Sequence, residues 1–351
     1  MANDLVEIGE QLVGTGQPCF IIAEAGVNHN GDMQLGIELI DAAVEAGADA
    51  VKFQTFQADR LAITNTAQAA YAAENVGERL SHYDMLKSLE LSDADHRLLQ
   101  DHCTKRGITF LSSPFDELSA DYLRTLNVPA FKIPSGELTN IPYLGHIASK
   151  GLPVIVSTGM ATIDEVEAAV RAIEAQGNQR YVLLHCVSNY PADPADANLL
   201  AMGAMRSAFK CLVGFSDHSP GSEISIGAVA LGACVIEKHL TLDRTLPGPD
   251  HKASEEPADF AALVRGIRTI EAAMGTGIKG PSAAEAATAE VARKSLVTSL
   301  ALSAGTVLTE AMIAIKRPGT GLAPGERDAV VGRILKVDVA KDTLLTMEML
   351  R

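Results

Sequence analysis

The amino-acid sequence predicts a TIM (β/α)8 barrel followed by a small β-rich domain, and three observations support this α/β fold class. Eight short apolar runs rich in β-branched residues recur along the first three quarters of the 351-residue chain, helix-patterned stretches separate them, and nearly every run ends in small polar or ionisable residues. Parallel strands need a long crossover between neighbours, usually a helix. Eight such units close into a barrel.

The predicted elements follow one another in a regular order. The strands cover residues 19–26, 48–54, 108–114, 130–136, 153–159, 181–186, 212–217 and 234–240. The clearest helical patterns lie at 35–47, 93–106, 163–176, 224–231 and 258–274. Residues 1–17 predict a short hairpin or plug, and a long excursion at 55–91 follows the second strand. Loops of this length in a compact barrel are usually functional, as lids or oligomer contacts.

The predicted barrel domain occupies residues 1–274, and the composition changes after it. Residues 275–292 are small, Gly-rich at first, and predict a linker before a second domain at 293–351. Within that domain 303–313 is echoed by 340–350, which indicates two similar strand–turn units. Between these units, Lys316 and Arg317 lie in a loop that contains Pro and two Gly. They form either a ligand-binding pair of cations or a solvated loop tip.

The overall charge argues against a nucleic-acid partner. The formal net charge is −15 and the pI is near 5.0, so the field of the protein repels phosphate. An anionic metabolite would need local cations, because fields are screened beyond about 8 Å at physiological salt. The candidate cations are Lys52, Lys132 and Arg317.

Three sequence features predict a cytoplasmic protein without a membrane partner. Residues 1–17 lack the basic start and long apolar core of a signal peptide. No apolar run approaches the roughly 18 residues that a membrane helix needs. The five cysteines are odd in number and scattered, so we expect buried free thiols in a reducing compartment. They are Cys19, Cys103, Cys186, Cys211 and Cys234.

The polar residues at the strand ends predict a working barrel mouth. In TIM barrels the carboxyl ends of the strands and the loops after them form the active site. A single serine at a strand end is usually structural, but here all the ends carry such residues. The side chains expected to face one cavity are Glu24, Lys52, Gln54, Ser112, Ser113, Lys132, Ser135, Glu137, Ser157, Thr158, Ser188, Tyr190, Ser216, His218, Glu237 and His239.

Two histidines at the ends of strands 7 and 8 form a candidate metal site. His218 and His239 would lie on neighbouring strands about 4.8 Å apart, where two imidazoles can share a divalent ion. Alternation along a strand places Glu237 beside His239 and Ser216 beside His218, so Glu237 could orient a metal-bound water. An exchangeable Mn²⁺ or Mg²⁺ completed by waters fits better than a closed Zn²⁺ site. A metal-free acid/base role of either histidine is the alternative.

Two lysines form a candidate anion site. Lys52 and Lys132 would flank the hydroxyls of Ser135 and of Ser112 or Ser113, and a barrel-interior lysine without a partner is costly. Nearby glycines would let backbone N–H groups approach an anion closely. These glycines are Gly136, Gly159 and Gly214. Alternatively, each lysine pairs with a neighbouring carboxylate such as Glu24 or Glu137.

A third group lies at the predicted rim and suits a polyhydroxylated ligand. It comprises Glu137, Tyr190 and Asp250, the last of these in a rigid Pro-Gly-Pro-Asp loop. The alternative for Asp250 is that it only caps the helix after it.

Nine motifs, in order along the chain, closely resemble the sialic acid synthase family. They are IIAEAGVNHNGD (21–32), AVKFQTF (50–56), FLSSPFD (110–116), FKIPSGE (131–137), VSTGMAT (156–162), LLHCVSNYP (183–191), GFSDHS (214–219), VIEKHLTLDR (235–244) and GPDHKAS (248–254). The C-terminal part resembles the antifreeze-like (SAF, β-clip) domain of the same family, with KRPG at 316–319. The resemblance covers nearly the whole chain.

The resemblance implies a function and assigns residues to it. Members of this family condense phosphoenolpyruvate with an N-acylated amino-sugar aldehyde to make nine-carbon ulosonic acids. By resemblance, His218 and His239 bind Mn²⁺ or Mg²⁺, and Glu237 holds a water of that ion. The residues implied to hold phosphoenolpyruvate are Lys52, Ser113, Lys132, Ser135, Ser188 and Ser216. Those implied to contact the sugar are Gln54, Glu137, Tyr190 and Asp250, together with Arg317 from the SAF domain of a partner subunit in a domain-swapped homodimer.

The chain departs from the family pattern at two places. Ser188 stands where some members carry an Asn, and here Asn189 is shifted by one position. Some members place an aromatic side chain of the linker over the sugar, and residues 275–294 contain none.

The implied chemistry joins C3 of the enol phosphate to the sugar aldehyde, which the metal ion polarises as a Lewis acid. Water then adds at C2 and phosphate leaves by C–O cleavage, with Glu24 or Glu137 as candidate acid or base. Two acceptors stay open, an N-acetylmannosamine-like sugar for an N-acetylneuraminate synthase and 2,4-diacetamido-2,4,6-trideoxymannose for an N,N'-diacetyllegionaminate synthase. Other functions on the same fold are a metal-dependent aldolase, a phosphosugar isomerase and a non-enzymatic sugar-binding SAF protein, and the motifs favour them less.

Overall fold

The computed structural model describes residues 4–64 and 81–351, so the middle of the predicted excursion lies outside the described residues. The chain divides into two compact units, Met1–Gly275 and Thr276–Arg351. Among the described residues, none of the helices has the length and apolarity that crossing a membrane requires.

The first unit is a barrel of eight parallel strands, as the sequence predicts. The strand bounds are β3 Phe20–Gly26, β4 Ala50–Thr55, β5 Thr109–Pro114, β6 Phe131–Ile133, β7 Val154–Ser157, β8 Tyr181–Cys186, β9 Leu212–Asp217 and β10 Val235–His239. Around the sheet their order is β5-β4-β3-β10-β9-β8-β7-β6, and β5 also contacts β6, which closes the sheet.

Helices surround this sheet, and their ends carry the expected local signals. Asp32 caps the first helix and Gly47 ends it in a left-handed conformation, while Ser92 and Asp95 form a capping box. The helices of this unit are α1 Met33–Ala46, α2 Ala58–Leu61, α3 His82–Ser88, α4 Asp93–Arg106, α5 Glu117–Thr125, α6 Ile141–Ser149, α7 Ile163–Glu174, α8 Leu200–Phe209, α9 Glu223–Ala230 and α10 Pro257–Met274.

The fourth barrel strand, β6, is shorter than predicted. The sequence predicts a strand over 130–136, but the chain leaves the sheet after Ile133 because Pro134 has no N–H to donate to a neighbouring strand. A 3-10 turn, Ser135–Glu137, follows at once. This turn directs polar residues over the barrel mouth.

The predicted N-terminal hairpin forms and seals the amino end of the barrel. Strands β1 Leu5–Ile8 and β2 Gln11–Gly14 pair antiparallel. Val6, Ile8 and Val13 are buried in one cluster with the inward-facing residues of the barrel strands. The opposite end of the barrel is therefore the open one.

The thiols are free, and four of the five are buried as expected. Cys211 is only half-buried, because it precedes β9 at the amino end of the barrel rather than lying within a strand. No disulfide forms among the described residues.

The second unit contains short β pieces, as predicted. Strands β11 Ser295–Thr298 and β12 Ile313–Lys316 pair antiparallel. The predicted internal repeat recurs in the structure, since bridges at Leu302 and Val339 are followed by 3-10 turns at Glu310–Met312 and Met347–Met349. Helix α12 is Arg327–Val330.

The end of the predicted linker is helical. Helix α11, Glu285–Ala292, lies within residues 275–292, and nearly all of its side chains are exposed. The segment forms a helix because alanine and glutamate, which make up most of it, have high helix propensity. The prediction of a linker rested on the Gly-rich start of 275–292 and did not take this propensity into account.

Candidate active site

A cavity of about 510 Å³ opens at the carboxyl ends of the barrel strands. Its volume lies within the usual range for small-molecule sites. The structure brings together in its walls all the predicted site residues of the first unit: Glu24, Lys52, Gln54, Ser113, Lys132, Ser135, Glu137, Ser188, Tyr190, Ser216, His218, Glu237, His239 and Asp250. Arg317 belongs to the second unit and is exposed, with its Nε donating to Ala292 O at 3.0 Å.

Two strand-end residues do not face this cavity as predicted. Ser112 is hydrogen-bonded to Thr55 at 2.7 Å, and Thr158 donates to Leu184 O at 3.0 Å. Alternation along a strand explains the first case, because Ser112 and Ser113 must point to opposite faces and Ser113 points inward. The choice between Ser112 and Ser113 is thereby settled for the cavity.

A larger cavity of about 920 Å³ lies at the amino end of the strands, around Cys19, Cys211 and Cys234. None of the predicted site residues lines it.

Lys52 lies at the centre of the cavity floor. Its Nζ is 2.6 Å from Glu24 Oε2 and 3.6 Å from Glu237 Oε2, and it donates to Ser113 Oγ at 3.0 Å. These four side chains are nearly inaccessible to solvent. A buried ammonium group held by two carboxylates and a hydroxyl is satisfied without ligand.

Lys132 completes the floor through Glu237. Its Nζ is 3.2 Å from Glu237 Oε1, which also accepts a hydrogen bond from Ser216 Oγ at 2.9 Å. The lysines thus pair with carboxylates, as the alternative interpretation states, but the partners are Glu24 and Glu237. Glu137 instead accepts from Asn140 Nδ2 at 2.8 Å in the cavity wall.

The two floor carboxyls have opposite pKa shifts. Burial raises the pKa of Glu24 to about 7, although Lys52 opposes the shift. Burial also acts to raise the pKa of Glu237, but Lys132, Lys52 and the Ser216 hydroxyl outweigh it and lower the pKa to about 2. Two carboxyls whose pKa values differ in this way can take different proton-transfer roles at neutral pH.

The raised pKa of Glu24 predicts a pH-dependent stability. A carboxyl whose pKa is higher in the folded state contributes stability below its unfolded pKa, and the contribution is lost as the pH rises through the folded value. The free energy of unfolding of wild type relative to Glu24→Gln should therefore fall as the pH rises from about 4.5 to about 7, by about 3 kcal/mol at most. Urea titrations of both proteins without metal measure this difference, and a constant difference would contradict the assignment.

The two histidines at the ends of β9 and β10 fit a divalent metal ion. Their ring centroids are 5.5 Å apart, and both rings are buried. His218 Nδ1 donates to Val187 O at 2.7 Å, which leaves Nε2 with its lone pair. His239 Nδ1 is buried without a hydrogen-bond partner among the described residues. Burial lowers the pKa of both rings, so both are neutral, as metal ligands must be.

The donor set is too small for a closed metal site. Among residues 4–64 and 81–351, three or more His, Cys, Asp or Glu side chains nowhere converge on one point. Two imidazoles would leave most positions of an octahedral ion to water or ligand, which suits an exchangeable Mn²⁺ or Mg²⁺.

A second polar group lies where β7 and β8 end. The N–H of Gly159 donates to Ser135 Oγ at 3.0 Å, and Ser135 Oγ is 3.1 Å from Cys186 Sγ. A Cβ at Gly159 would lie 2.1 Å from Ser188 Oγ and 2.8 Å from Ser135 Oγ, so glycine leaves the room that these two hydroxyls occupy. Gly214 has a different role from the one expected, because a Cβ there would meet Val235 O at 2.4 Å inside the sheet.

Asp250 lies in the wall of the cavity. It precedes a 3-10 turn, but its side chain makes no capping hydrogen bond, so capping does not account for it. Burial raises its pKa to about 6. Gln54 Nε2, nearby in the wall, donates to Glu24 Oε1 at 3.3 Å.

The Asn-His-Asn segment at 28–30 holds the loop that carries Asp250. Asn28 Nδ2 donates to Leu240 O and to Ser254 Oγ, both at 2.8 Å, and Ser254 Oγ donates to Asp250 O at 2.7 Å. His251 Nε2 is 3.2 Å from Asn30 Oδ1. The loops after β3 and β10 are thus joined by side-chain hydrogen bonds that position Asp250.

One wall of the cavity is formed by residues that the sequence does not mark as site residues. The excursion after β4 contributes Leu61, His82, Met85, Leu86 and Leu89 to its lining. The long insertion was the available signal, but it lacks a strand end to indicate which side chains face inward.

The fold and the mouth define a barrel enzyme with an appended SAF domain, whose family model matches residues 293–351. The model of the NeuB family matches residues 39–279, and the chain belongs to that family.

Relatives and solved structures agree with this membership. A protein of Legionella pneumophila named N,N'-diacetyllegionaminic acid synthase is 48% identical over 95% of each chain. The human N-acetylneuraminate-9-phosphate synthase is 37% identical over 96% of this chain and 94% of its own. The crystal structure of the N-acetylneuraminic acid synthetase of Leptospira borgpetersenii in complex with citrate superposes with a TM-score of 0.72 at 38% identity, covering 81% of this chain and 94% of that one.

Proposed function

We propose that this protein condenses phosphoenolpyruvate with the open-chain aldehyde of an N-acylated amino-sugar, releasing phosphate and forming a nine-carbon ulosonic acid. The main support for this proposal is the grouping of side chains at the floor of the cavity, where two buried lysines and several hydroxyls lie beside two neutral imidazoles. Family membership and the names of the relatives support the same reaction.

Two acceptor sugars fit this reaction, an N-acetylmannosamine-like sugar and 2,4-diacetamido-2,4,6-trideoxymannose. The relative named for N,N'-diacetyllegionaminic acid is 48% identical, whereas the solved structure named for N-acetylneuraminic acid is 38% identical and the relative named for N-acetylneuraminate 9-phosphate is 37% identical. This difference favours the second sugar as a candidate.

Phosphoenolpyruvate carries a phosphate and a carboxylate, and the proposed site supplies charge for both. Lys52 and Lys132 bring two positive charges, and the raised pKa of Glu24 leaves Glu237 as the main opposing charge. Preorganised cations in a water-poor site stabilise developing negative charge strongly. The hydroxyls proposed to complete the binding are those of Ser113, Ser135, Ser188 and Ser216.

In the proposed reaction, C3 of phosphoenolpyruvate forms a bond to the aldehyde carbon, whose oxygen takes up a proton. Water adds to C2, and the C2–O bond to phosphate breaks to leave a 2-keto acid. Of the two water protons, one balances the proton taken up by the aldehyde oxygen and the other leaves with phosphate. Mn²⁺ or Mg²⁺ held by His218 and His239 would supply Lewis-acid polarisation of an oxygen. Glu24 is the better proton carrier of the two candidates, because it lies on the floor beside Lys52 whereas Glu137 lies in the wall.

Phosphate release tests this proposal. Purified protein with Mn²⁺ should release inorganic phosphate only when phosphoenolpyruvate and one of the two sugars are both present. Release from phosphoenolpyruvate alone would indicate a phosphatase, and consumption of sugar without phosphoenolpyruvate would indicate an aldolase or isomerase.

We also propose that Arg317 acts in the barrel of a second copy of this chain, in a domain-swapped homodimer. Arg317→Ala should lose most activity with an unchanged melting temperature, because its exposed guanidinium contributes little to the stability of its own unit.

Mixed dimers of two inactive variants test the domain swap more directly. Combining inactive Arg317→Ala with inactive Lys132→Met should restore up to about a quarter of the activity, because one dimer in two is mixed and has one intact site. Absence of recovery would refute the swap.

A further inference from the structure

The excursion after β4 forms an apolar wall on one side of the active-site cavity. Its described residues that line the cavity are Leu61 from α2 and His82, Met85, Leu86 and Leu89 from α3 and its end. The apolar members pack together with Val27 and Phe115, which also line the cavity, in a cluster of their own. We call the five residues Leu61, His82, Met85, Leu86 and Leu89 the excursion wall.

The position of this wall along the cavity follows from the topology. The cavity floor is built by strand residues such as Lys52, whereas Leu61 lies six residues beyond the end of β4 and the α3 residues come later still. Loops that follow the carboxyl ends of barrel strands stand above the strands. The excursion wall therefore borders the outer part of the cavity.

The proposed reaction orients the acceptor sugar within the cavity. Its aldehyde carbon has to meet phosphoenolpyruvate at the floor, near Lys52 and the histidines. The other end of the six-carbon chain, C5 and C6, must then extend outward. Among the described residues that line the cavity from these loops, the excursion wall is the largest apolar group, and Met160 and Pro249 are the other apolar members after β7 and β10.

The geometry points to the excursion wall as the element that selects acceptors with a methyl group rather than a hydroxymethyl group at C6. This inference rests on the proposed function and deepens it by naming the side chains that set the choice between a methyl and a hydroxymethyl group at C6. A methyl group gains from apolar burial, whereas a hydroxyl placed against Leu61, Met85 and Leu86 loses its hydrogen bonds to water.

His82 is the polar member of the excursion wall. Its Nδ1 is sealed from solvent and has no hydrogen-bond partner among the described residues. The preference is assigned to the apolar side chains, so removing the polarity of His82 should preserve it.

Sugars matched in every position except C6 test the selection. One pair is N-acetylmannosamine and its 6-deoxy form, and the other is 2,4-diacetamido-2,4,6-trideoxymannose and its 6-hydroxy form. For whichever pair is turned over, kcat/KM should favour the 6-deoxy member by between about 10-fold and 100-fold, the range in which apolar pockets discriminate against a hydroxyl. Equal values, or preference for the 6-hydroxy member, would overturn the inference while leaving the proposed function intact. No phosphate release with any of the four sugars would instead refute the proposed function.

Variants assign the preference to the wall. Leu61 is half-buried, and Leu61→Gln should reduce the preference at least about threefold by offering a partner to the hydroxyl. Leu91→Gln is the matched control, because Leu91 is also half-buried but packs against the main core outside the cavity. His82→Leu should keep or increase the preference. An unchanged ratio in Leu61→Gln, an equal change in Leu91→Gln, or loss of the preference in His82→Leu would each contradict the assignment.

Discussion

Lys52→Met should lower kcat/KM for phosphoenolpyruvate by about 10³-fold, the upper range for loss of one preorganised charge-stabilising donor. Lys52 contacts Glu24, Glu237 and Ser113 at once, so its loss removes the central positive charge of the floor. The fold should survive, because Glu237 keeps Lys132 and Glu24 can remain protonated. Phosphate release under saturating sugar measures the effect.

Lys150→Met is the control for this substitution. Lys150 pairs with Asp121 on the outside of the barrel, so its removal should change kcat/KM less than twofold. Loss of less than about tenfold in Lys52→Met, in protein with a normal melting temperature, would mean that the anionic substrate binds elsewhere.

The double substitution His218→Ala/His239→Ala should abolish specific Mn²⁺ binding and reduce turnover by about 10³-fold or more. Among the described residues, no third His, Cys, Asp or Glu side chain forms a cluster with these two histidines. The double substitution therefore removes both protein donors of the proposed ion together. Loss of electrostatic activation by a metal ion is worth several kcal/mol. Binding is measured first without substrates, by the decrease of the free Mn²⁺ signal in electron paramagnetic resonance.

His146→Ala is the matched control, since His146 is bonded to Asp121 outside the cavity at 2.9 Å. It should bind Mn²⁺ as wild type does. Equal Mn²⁺ affinity in the double variant and wild type would remove the metal assignment, whatever the activities show.

The sequence predicts the floor of this site well because strand ends obey local rules. Period-two alternation and the barrel topology suffice to bring Lys52, Glu237 and the two histidines together. The strand register decides between Ser112 and Ser113, since Gln54 pairs with Ser113 and Lys52 with Leu111. Such a register depends on partners distant in the chain and cannot be obtained from one strand.

The parts that could not be predicted are nonlocal or lack periodicity. Which carboxylate pairs with which lysine depends on side-chain directions across three strands, and Glu237 rather than Glu137 proves to be the partner of Lys132. The excursion has no alternation that connects its side chains to the mouth, so His82 and Leu61 carried no signal. The early end of β6 is a different case, because Pro134 is a local cue that could have shortened the predicted strand.

Carbon–carbon bond formation is tested most directly by following the carbon label of [3-¹³C]phosphoenolpyruvate through the reaction. With Mn²⁺ and the accepted sugar, we expect ¹³C nuclear magnetic resonance to find the label as a methylene carbon bonded to the former aldehyde carbon in a 2-keto acid, in step with phosphate release. Label recovered as the methyl carbon of pyruvate, or left in phosphoenolpyruvate while the sugar is consumed, would contradict carbon–carbon bond formation at this site.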